Sequence, residues 1–219
     1  AYEIRLSLVG SEMCIRDRYY SSAPDVLSVL IEKFSGMSTN QFLTERIFKP
    51  LAMNDTGYNL SKEQQSRVVQ VYNQTNDGLV KNANQPKMEG NTLWSGVNGL
   101  YSTAADYMNF CQLLLNGGKF NGKQLLSRKT IELMTDNHTG DLFDKPGEGF
   151  GLGFAVLEDV AERRLLGSEG LFYWGGAFNT HFFIDPKEKI IAILMMQVNP
   201  FTWNYHDKMR LYVYQALVD

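Results

Sequence analysis

Apolar residues recur along this chain with two different periods, and the change from one to the other divides it. Val26, Leu27, Leu30, Ile31 and Phe34 return at helical spacing, with Ser28, Glu32 and Lys33 on the other side, so an amphipathic helix is predicted there. Ser22-Ala23-Pro24-Asp25 has the form of the capping box that starts it, and Gly36 supplies its stop. Ser38 with Gln41 makes a second capping box, for a helix carrying Phe42, Leu43, Ile47 and Phe48 that Pro50 ends. In the Asn/Gln-rich stretch that follows, Asn76-Asp77-Gly78 is a hairpin signal. Thr103 with Asp106 caps a helix running to Leu115 and stopped by Gly117-Gly118; Ser127 opens another that reaches about Met134.

Beyond Gly149 the period becomes that of strands. Residues 150–156, 164–166, 178–184 and 190–196 are predicted to be extended, with turns at 167–170 and at Asp185-Pro186-Lys187. Short turns imply antiparallel neighbours. Residues 203–217 form a closing helix whose apolar positions pack on one face of the sheet. The expected fold class is α+β, a helical portion followed by an antiparallel sheet with a packed C-terminal helix.

With 44% hydrophobic residues, the 219-residue chain can bury a sizeable core. Its longest wholly apolar run, residues 190–196, is far short of the roughly 18 residues that span a membrane. A net charge of -3 with no clustered basic face argues against nucleic acid as a partner. Cys111 shares a helix face with Tyr107, Phe110 and Leu114, which makes it a buried small hydrophobe. No disulfide framework, metal-ligand spacing or phosphate-cradling glycine loop is present, and "GFGLGF" reads as strand. Nothing in the sequence assigns a compartment.

Residues 1–18 lack both the periods seen elsewhere and the features of a secretory signal. Met13-Cys14-Ile15-Arg16-Asp17-Arg18 resembles the translation of a transposon end used in preparing sequencing libraries. The expectation is a non-native leader over 1–18 and the C-terminal part of a hydrolase domain over 19–219, with apolar sheet surface left exposed. The alternative is a native N-terminal strand at 4–9.

The stretches "YYSSAPDVLSVLIEKFSG", "FLTERIFKPLAMNDTGY", "GLYSTAADYMNFCQLLLNGG", "GFGLGFAV" and "WGGAFNTHFFIDPKEKIIAILMMQ", in this order, resemble the esterase branch of the serine β-lactamase and penicillin-binding-protein superfamily. The resemblance covers residues 19–217. It implies a partial class C β-lactamase-like fold, with a site between helical portion and sheet, and acyl transfer through a serine ester without a cofactor. That chemistry needs an activated nucleophile, a proton relay and an oxyanion hole. The nucleophile belongs to a Ser-x-x-Lys motif, and no serine of this chain has lysine three residues on. The chain alone is therefore expected to be inactive.

Residue by residue, the resemblance makes Tyr20 the proton relay, with Ser22 at the substrate-binding position usually held by asparagine. A free tyrosine, pKa about 10, needs nearby positive charge to serve as a base. Trp174-Gly175-Gly176 occupies the place of the Lys-Thr-Gly strand, binding substrate along its edge, and the Ala177 N–H is one oxyanion donor. Two plainer readings stand beside these: Tyr20 as a packed tyrosine at a helix start, and Trp-Gly-Gly as a tight sheet edge. His138, His181 and His206 are scattered, with no Gly-x-Ser-x-Gly elbow, so a histidine triad is not expected. His181 reads as a strand residue hydrogen-bonded within the sheet, and Asp136 and Asp141 near His138 as a polar surface loop, not a metal site.

The implied activity is hydrolysis of short-chain carboxylic esters, the partner being a small-molecule ester or amide. Two alternatives remain: β-lactam or D-amino peptide hydrolysis, or a non-catalytic relative that binds peptides or peptidoglycan in the same cleft. Phe172, Tyr173 and Phe178, near Trp174, are candidates for acyl-chain surface.

Overall fold

The structure, a computed structural model, describes residues 23–143 and 145–218. The leader, Tyr20 and Ser22 lie outside the described residues. Helix α1, Ala23–Ser35, is followed by α2, Thr39–Leu43, which runs on through a π-helical turn at Thr44–Phe48. Then come α3 (Lys62–Gln65), the hairpin β1 (Tyr72–Thr75) and β2 (Gly78–Lys81), and α4 (Ala104–Leu115). A short hairpin, β3 (Lys119–Phe120) and β4 (Lys123–Gln124), leads to α5 (Arg128–Met134). The second half holds β5 (Glu148–Phe150), β6 (Ala155–Leu157), α6 (Val160–Arg163), β7 (Phe172–Gly176), β8 (Thr180–Asp185), β9 (Ile190–Leu194), β10 (Val198–Asn199) and α7 (Asn204–Gln215).

Strands β5 to β9 form one antiparallel sheet in sequence order, as short turns require. Alternation along β8 sends Phe182 and Ile184 to one face and Phe183 to the other, so each face has its own core. On the first face Val156, Phe172, Phe182 and Ile184 pack with Cys111 and Leu114 of α4 and Ile131 of α5. On the second, Leu157, Tyr173, Phe183 and Ala192 pack with Met209, Val213 and Tyr214 of α7. Cys111 is fully buried, which pushes its thiol up to about 12. A third core joins Leu113 of α4 to Phe48, Leu51 and Met53. The fold is α+β with a closing helix on the sheet, as the sequence implies, and both sheet faces are covered.

Three readings are corrected. The strand predicted at 150–156 is two strands, because the chain turns between Phe150 and Ala155, where Gly151 N–H donates to the Phe154 carbonyl at 2.8 Å and Gly153 takes φ +102°. Residues 164–166 are not a strand. Asp159 accepts from the Glu162 N–H at 2.9 Å and caps α6, which Arg164 ends in the left-handed conformation. Helix α1 lies where predicted, but its apolar stripe is not its buried side: Leu27 and Phe34 are 58% and 81% exposed and Ile31 is half-buried, while Ser28 is 6% exposed and Glu32 and Lys33 face solvent as expected. Ser28 is buried because the chain crosses α1 closely there. A Cβ on Gly96 would collide with the Pro24 carbonyl and lie 2.8 Å from Ser28 Oγ, and Thr39 Oγ1 donates to the Ser28 carbonyl at 3.1 Å. Exposed apolar side chains thus include those of α1, while Phe172, Phe182, Phe183 and Ile184 of the five-stranded sheet are buried.

Charge is buried between the sheet and α7. Glu148, with no side-chain exposure, accepts from Arg163 Nε at 2.7 Å and from the Tyr173 hydroxyl at 2.6 Å, with Arg210 Nη1 at 3.8 Å. Lys145 Nζ donates to the Tyr173 hydroxyl at 2.9 Å and lies 3.8 Å above the Trp203 ring. Burial is the largest single influence on Arg163 and lowers it, but the charge and hydrogen bond of Glu148, with Asp207 and Tyr173, together outweigh it and the guanidinium is raised; for Arg210, more deeply buried, desolvation wins. Glu148→Gln would leave the buried Arg210 without a carboxylate and Arg163 with only Asp207, at 3.4 Å, a loss of about 3–5 kcal/mol. The expected outcome is a variant unfolding at much lower urea than wild type; an unchanged midpoint with unchanged slope refutes the role given to this carboxylate.

His181 on β8 and His206 on α7 face each other, ring centroids 5.7 Å apart, with His206 stacked on Tyr173 at 4.3 Å. Among the described residues none hydrogen-bonds either imidazole, so the expectation of a hydrogen-bonded His181 is corrected: the rings are packed among aromatic groups. Burial is the main cause of their depressed pKa values, about 4 for His181, where Asp207 opposes the shift and Lys145 adds to it, and about 2 for His206, which His181 and neighbouring cations lower further. The unfolded chain, with His near 6.5, therefore binds protons first as pH falls, so stability is full above pH 6.5 and drains away toward pH 4. His181 alone contributes a loss of about 3 kcal/mol across that window. Urea unfolding at pH 7.5, 5.5 and 4.5 should show the decline, and His206→Phe should flatten it. Parallel slopes for the two proteins exclude this origin.

Candidate active site

Strand β7 presents Trp174, Gly175 and Gly176 opposite Phe182, His181 and Thr180 of β8. The strand reading of Trp-Gly-Gly holds, and alternation places Trp174 and Gly176 on one face and Gly175 on the other. The half-buried indole of Trp174 meets the rings of Phe150, centroids 4.9 Å apart, and Trp203, at 5.5 Å, both edge-on. Such pairs fix the ring's plane as well as burying area. Lys145 approaches the Trp203 ring, but its ammonium is also engaged by the Tyr173 hydroxyl.

The two glycines have different grounds. A Cβ on Gly175 would lie 2.9 Å from His181 Nδ1 and 3.1 Å from the Phe201 ring, so packing from the α7 side alone demands glycine. A Cβ on Gly176 would meet only the Thr180 hydroxyl closely, and that group can rotate away. Packing thus accounts for Gly175 and leaves Gly176, on the Trp174 face, open to the other explanation, a backbone edge that a ligand can approach.

Ala177 is exposed at the start of the β7–β8 turn. That turn has three residues, Ala177, Phe178 and Asn179; Asn179 N–H donates to the Gly176 carbonyl at 2.9 Å and Asn179 adopts φ +63°. This is the three-residue hairpin loop in which the last residue is left-handed, a conformation asparagine tolerates. Phe172 and Tyr173 are 2% and 0% exposed and belong to the two cores, so they offer no acyl surface. Their burial follows from central strand positions covered on both faces.

Sequence reasoning did not single out Phe150, Lys145, Glu148, Asn179 or Trp203. Only Asn179 carried a local signal, as the left-handed residue of a Gly-Ala-Phe-Asn-Thr loop. The others meet the site through tertiary contacts. Among the described residues no group of three or more His, Cys, Asp or Glu gathers as for a metal, and His138 bonds the Leu133 carbonyl at 2.7 Å. No described helix is long and apolar enough to cross a membrane.

Comparison with known proteins finds this framework elsewhere. Residues 16–215 match the Beta-lactamase family. Protein Rv1367c of Mycobacterium tuberculosis (strain ATCC 25618 / H37Rv) is 32% identical over 195 residues, which are 83% of this chain and 49% of that protein. A protein of Escherichia coli (strain K12) named putative D-alanyl-D-alanine carboxypeptidase is 27% identical over 192 residues, 78% of this chain and 42% of its own. Among solved structures, EstCE1, described as a hydrolase with promiscuous acyltransferase activity, superposes with a TM-score of 0.79 at 24% identity, covering 90% of this chain and 56% of that one. The chain spans about half the length of the curated relatives it matches. With the family matched through all but the ends of the chain, and its fold recovered in the sheet and flanking helices, the chain belongs to the β-lactamase family.

Proposed function

We propose that the protein carrying this chain is a serine hydrolase of short-chain carboxylic esters, working through an acyl-serine intermediate. The observation behind the ester assignment is the neutral indole of Trp174, pinned between Phe150 and Trp203 where β-lactamases carry a lysine. An ammonium there attracts the carboxylate of a β-lactam nucleus or of a D-alanyl peptide. An indole offers one N–H and an apolar face. EstCE1, alike in fold, is described as a hydrolase with promiscuous acyltransferase activity, which fits acyl transfer in general. The name of the Escherichia coli relative points instead to peptides, whose terminal carboxylate would find no cation on Trp174.

In this mechanism a serine from a Ser-x-x-Lys segment, which none of the 219 residues supplies, attacks the ester carbonyl. Its proton passes through the Tyr20 hydroxyl to the departing alcohol, while Ser22 orients the substrate. The Ala177 N–H and the N–H of the serine hold the oxyanion, and Gly176 lets the substrate lie along the strand edge. Water then attacks the acyl-serine, its proton returning through Tyr20 as acid is released.

Two outcomes follow for the natural full-length protein. Its kcat/KM should be far higher on neutral short-chain esters than on cephalosporins, because a charge-assisted contact of about 1.5–3 kcal/mol, roughly tenfold to a hundredfold in capture, is missing. Trp174→Lys should narrow the gap, and faster turnover of cephalosporins than of any simple ester by wild type overturns the substrate assignment. Tyr20→Phe should leave the circular dichroism unchanged and lower kcat by about 10²–10⁴-fold. Unaltered kcat returns Tyr20 to a packing role.

A further inference from the structure

Asn179 is completely buried, and each of its side-chain polar atoms is engaged. Nδ2 donates to the Val198 carbonyl at 2.7 Å and to the Pro200 carbonyl at 2.9 Å, using both of its hydrogens. Oδ1 accepts from the Thr202 N–H at 2.8 Å. Its backbone closes the turn on Gly176, and the neighbouring Phe178 carbonyl accepts from the Val198 N–H at 3.1 Å. One amide thus ties the turn that begins at Ala177 to residues 198–202 by three side-chain bonds.

The segment it grips is itself held on both sides. Val198 and Asn199 form β10, which pairs in parallel with Tyr72 and Asn73 of β1, and Tyr72 N–H donates to the Gln197 carbonyl at 2.8 Å. Asn199 Nδ2 reaches Asn73 Oδ1 at 3.4 Å, and Asn82 Nδ2 meets the same oxygen at 3.1 Å. On the other side Phe201 and Trp203 pack on His181, and Trp203 on Trp174. The turn is therefore anchored through Asn179 to the β1–β2 hairpin of the helical half and to the aromatic packing beside the Trp-Gly-Gly strand. The turn's own backbone contributes two bonds, Asn179 N–H to the Gly176 carbonyl and the Phe178 carbonyl to the Val198 N–H, and the three side-chain bonds of Asn179 are the larger share of what fixes it.

We infer that Asn179 is the positioning residue for the Ala177 amide, holding that N–H where an oxyanion forms; this rests on the role proposed above for Ala177. The two requirements on residue 179 are separable. Its left-handed backbone suits glycine even better, so only the side-chain bonds distinguish asparagine from glycine here. Oxyanion donors act through placement fixed before the reaction, and loss of one donor costs about 10²–10³-fold in kcat. A donor left in place but loosened loses part of that.

Asn179→Gly in the natural full-length protein tests this with two readouts. Hydrogen–deuterium exchange should become at least about tenfold faster in peptides covering 176–180 and 198–202 and stay unchanged in 190–194. On a chromogenic short-chain ester kcat should fall about 10- to 100-fold, with KM within about threefold of wild type. Asn179→Asp, which keeps the left-handed backbone and the acceptor for Thr202 but loses both donors, carries the same comparison if the glycine variant does not fold. Unchanged exchange at the turn, or faster exchange spread evenly over the whole sheet, overturns the inference, as does a loosened turn with unaltered kcat. A wild-type protein without ester turnover defeats the proposed function instead, and the exchange result then decides by itself whether Asn179 holds the turn.

Discussion

Two guanidinium groups and a phenol reach the Glu148 carboxylate from three separate elements, α6, α7 and β7. Charges so deeply buried are tolerable only when they face one another, so the side chain of an edge strand dictates where the closing helix lies on the sheet. Once α7 is placed, Trp203 at its head and Phe201 before it are placed as well. Those rings bear on Trp174 and His181, and so the packing of the proposed substrate strand descends from an electrostatic constraint some residues away.

The elements that local chemistry governs were legible in the sequence. Thr103 accepts from the Asp106 N–H and Ser127 from the Thr130 N–H as expected, and the Asn76-Asp77 turn joins β1 and β2. What failed was governed by neighbours distant in sequence. The apolar stripe of α1 announces a helix but not which side meets the protein, and that is decided by the close crossing at Gly96 and Thr39, where a serine fits. Residues 164–166 carry apolar content suited to a strand, yet the Asp159 cap starts a helix just before them. The buried ion cluster announces itself least, because charged residues in sequence read as surface.

For the candidate site, sequence resemblance named the strand and the turn, and the structure separates their parts. Gly175 answers to the packing of His181 and Phe201, Gly176 has no such obligation, and Trp174 is held by rings on two sides. The structural reading of Trp-Gly-Gly covers Gly175, whose surroundings require glycine, and does not cover Gly176, which is where the proposed functional reading has its place.

The contact between Gly175 and the His181 imidazole also bears on how such a strand can evolve. A methyl group at 175 has no room while the ring stands behind it, so alanine, serine or threonine could enter only after His181 or Phe201 had shrunk or moved. The order of substitution is therefore constrained: the residue behind the sheet must change before the one on the strand. With a large ring at 181, any side chain at 175 requires that ring or Phe201 to shift, whatever a substrate on the opposite face would favour.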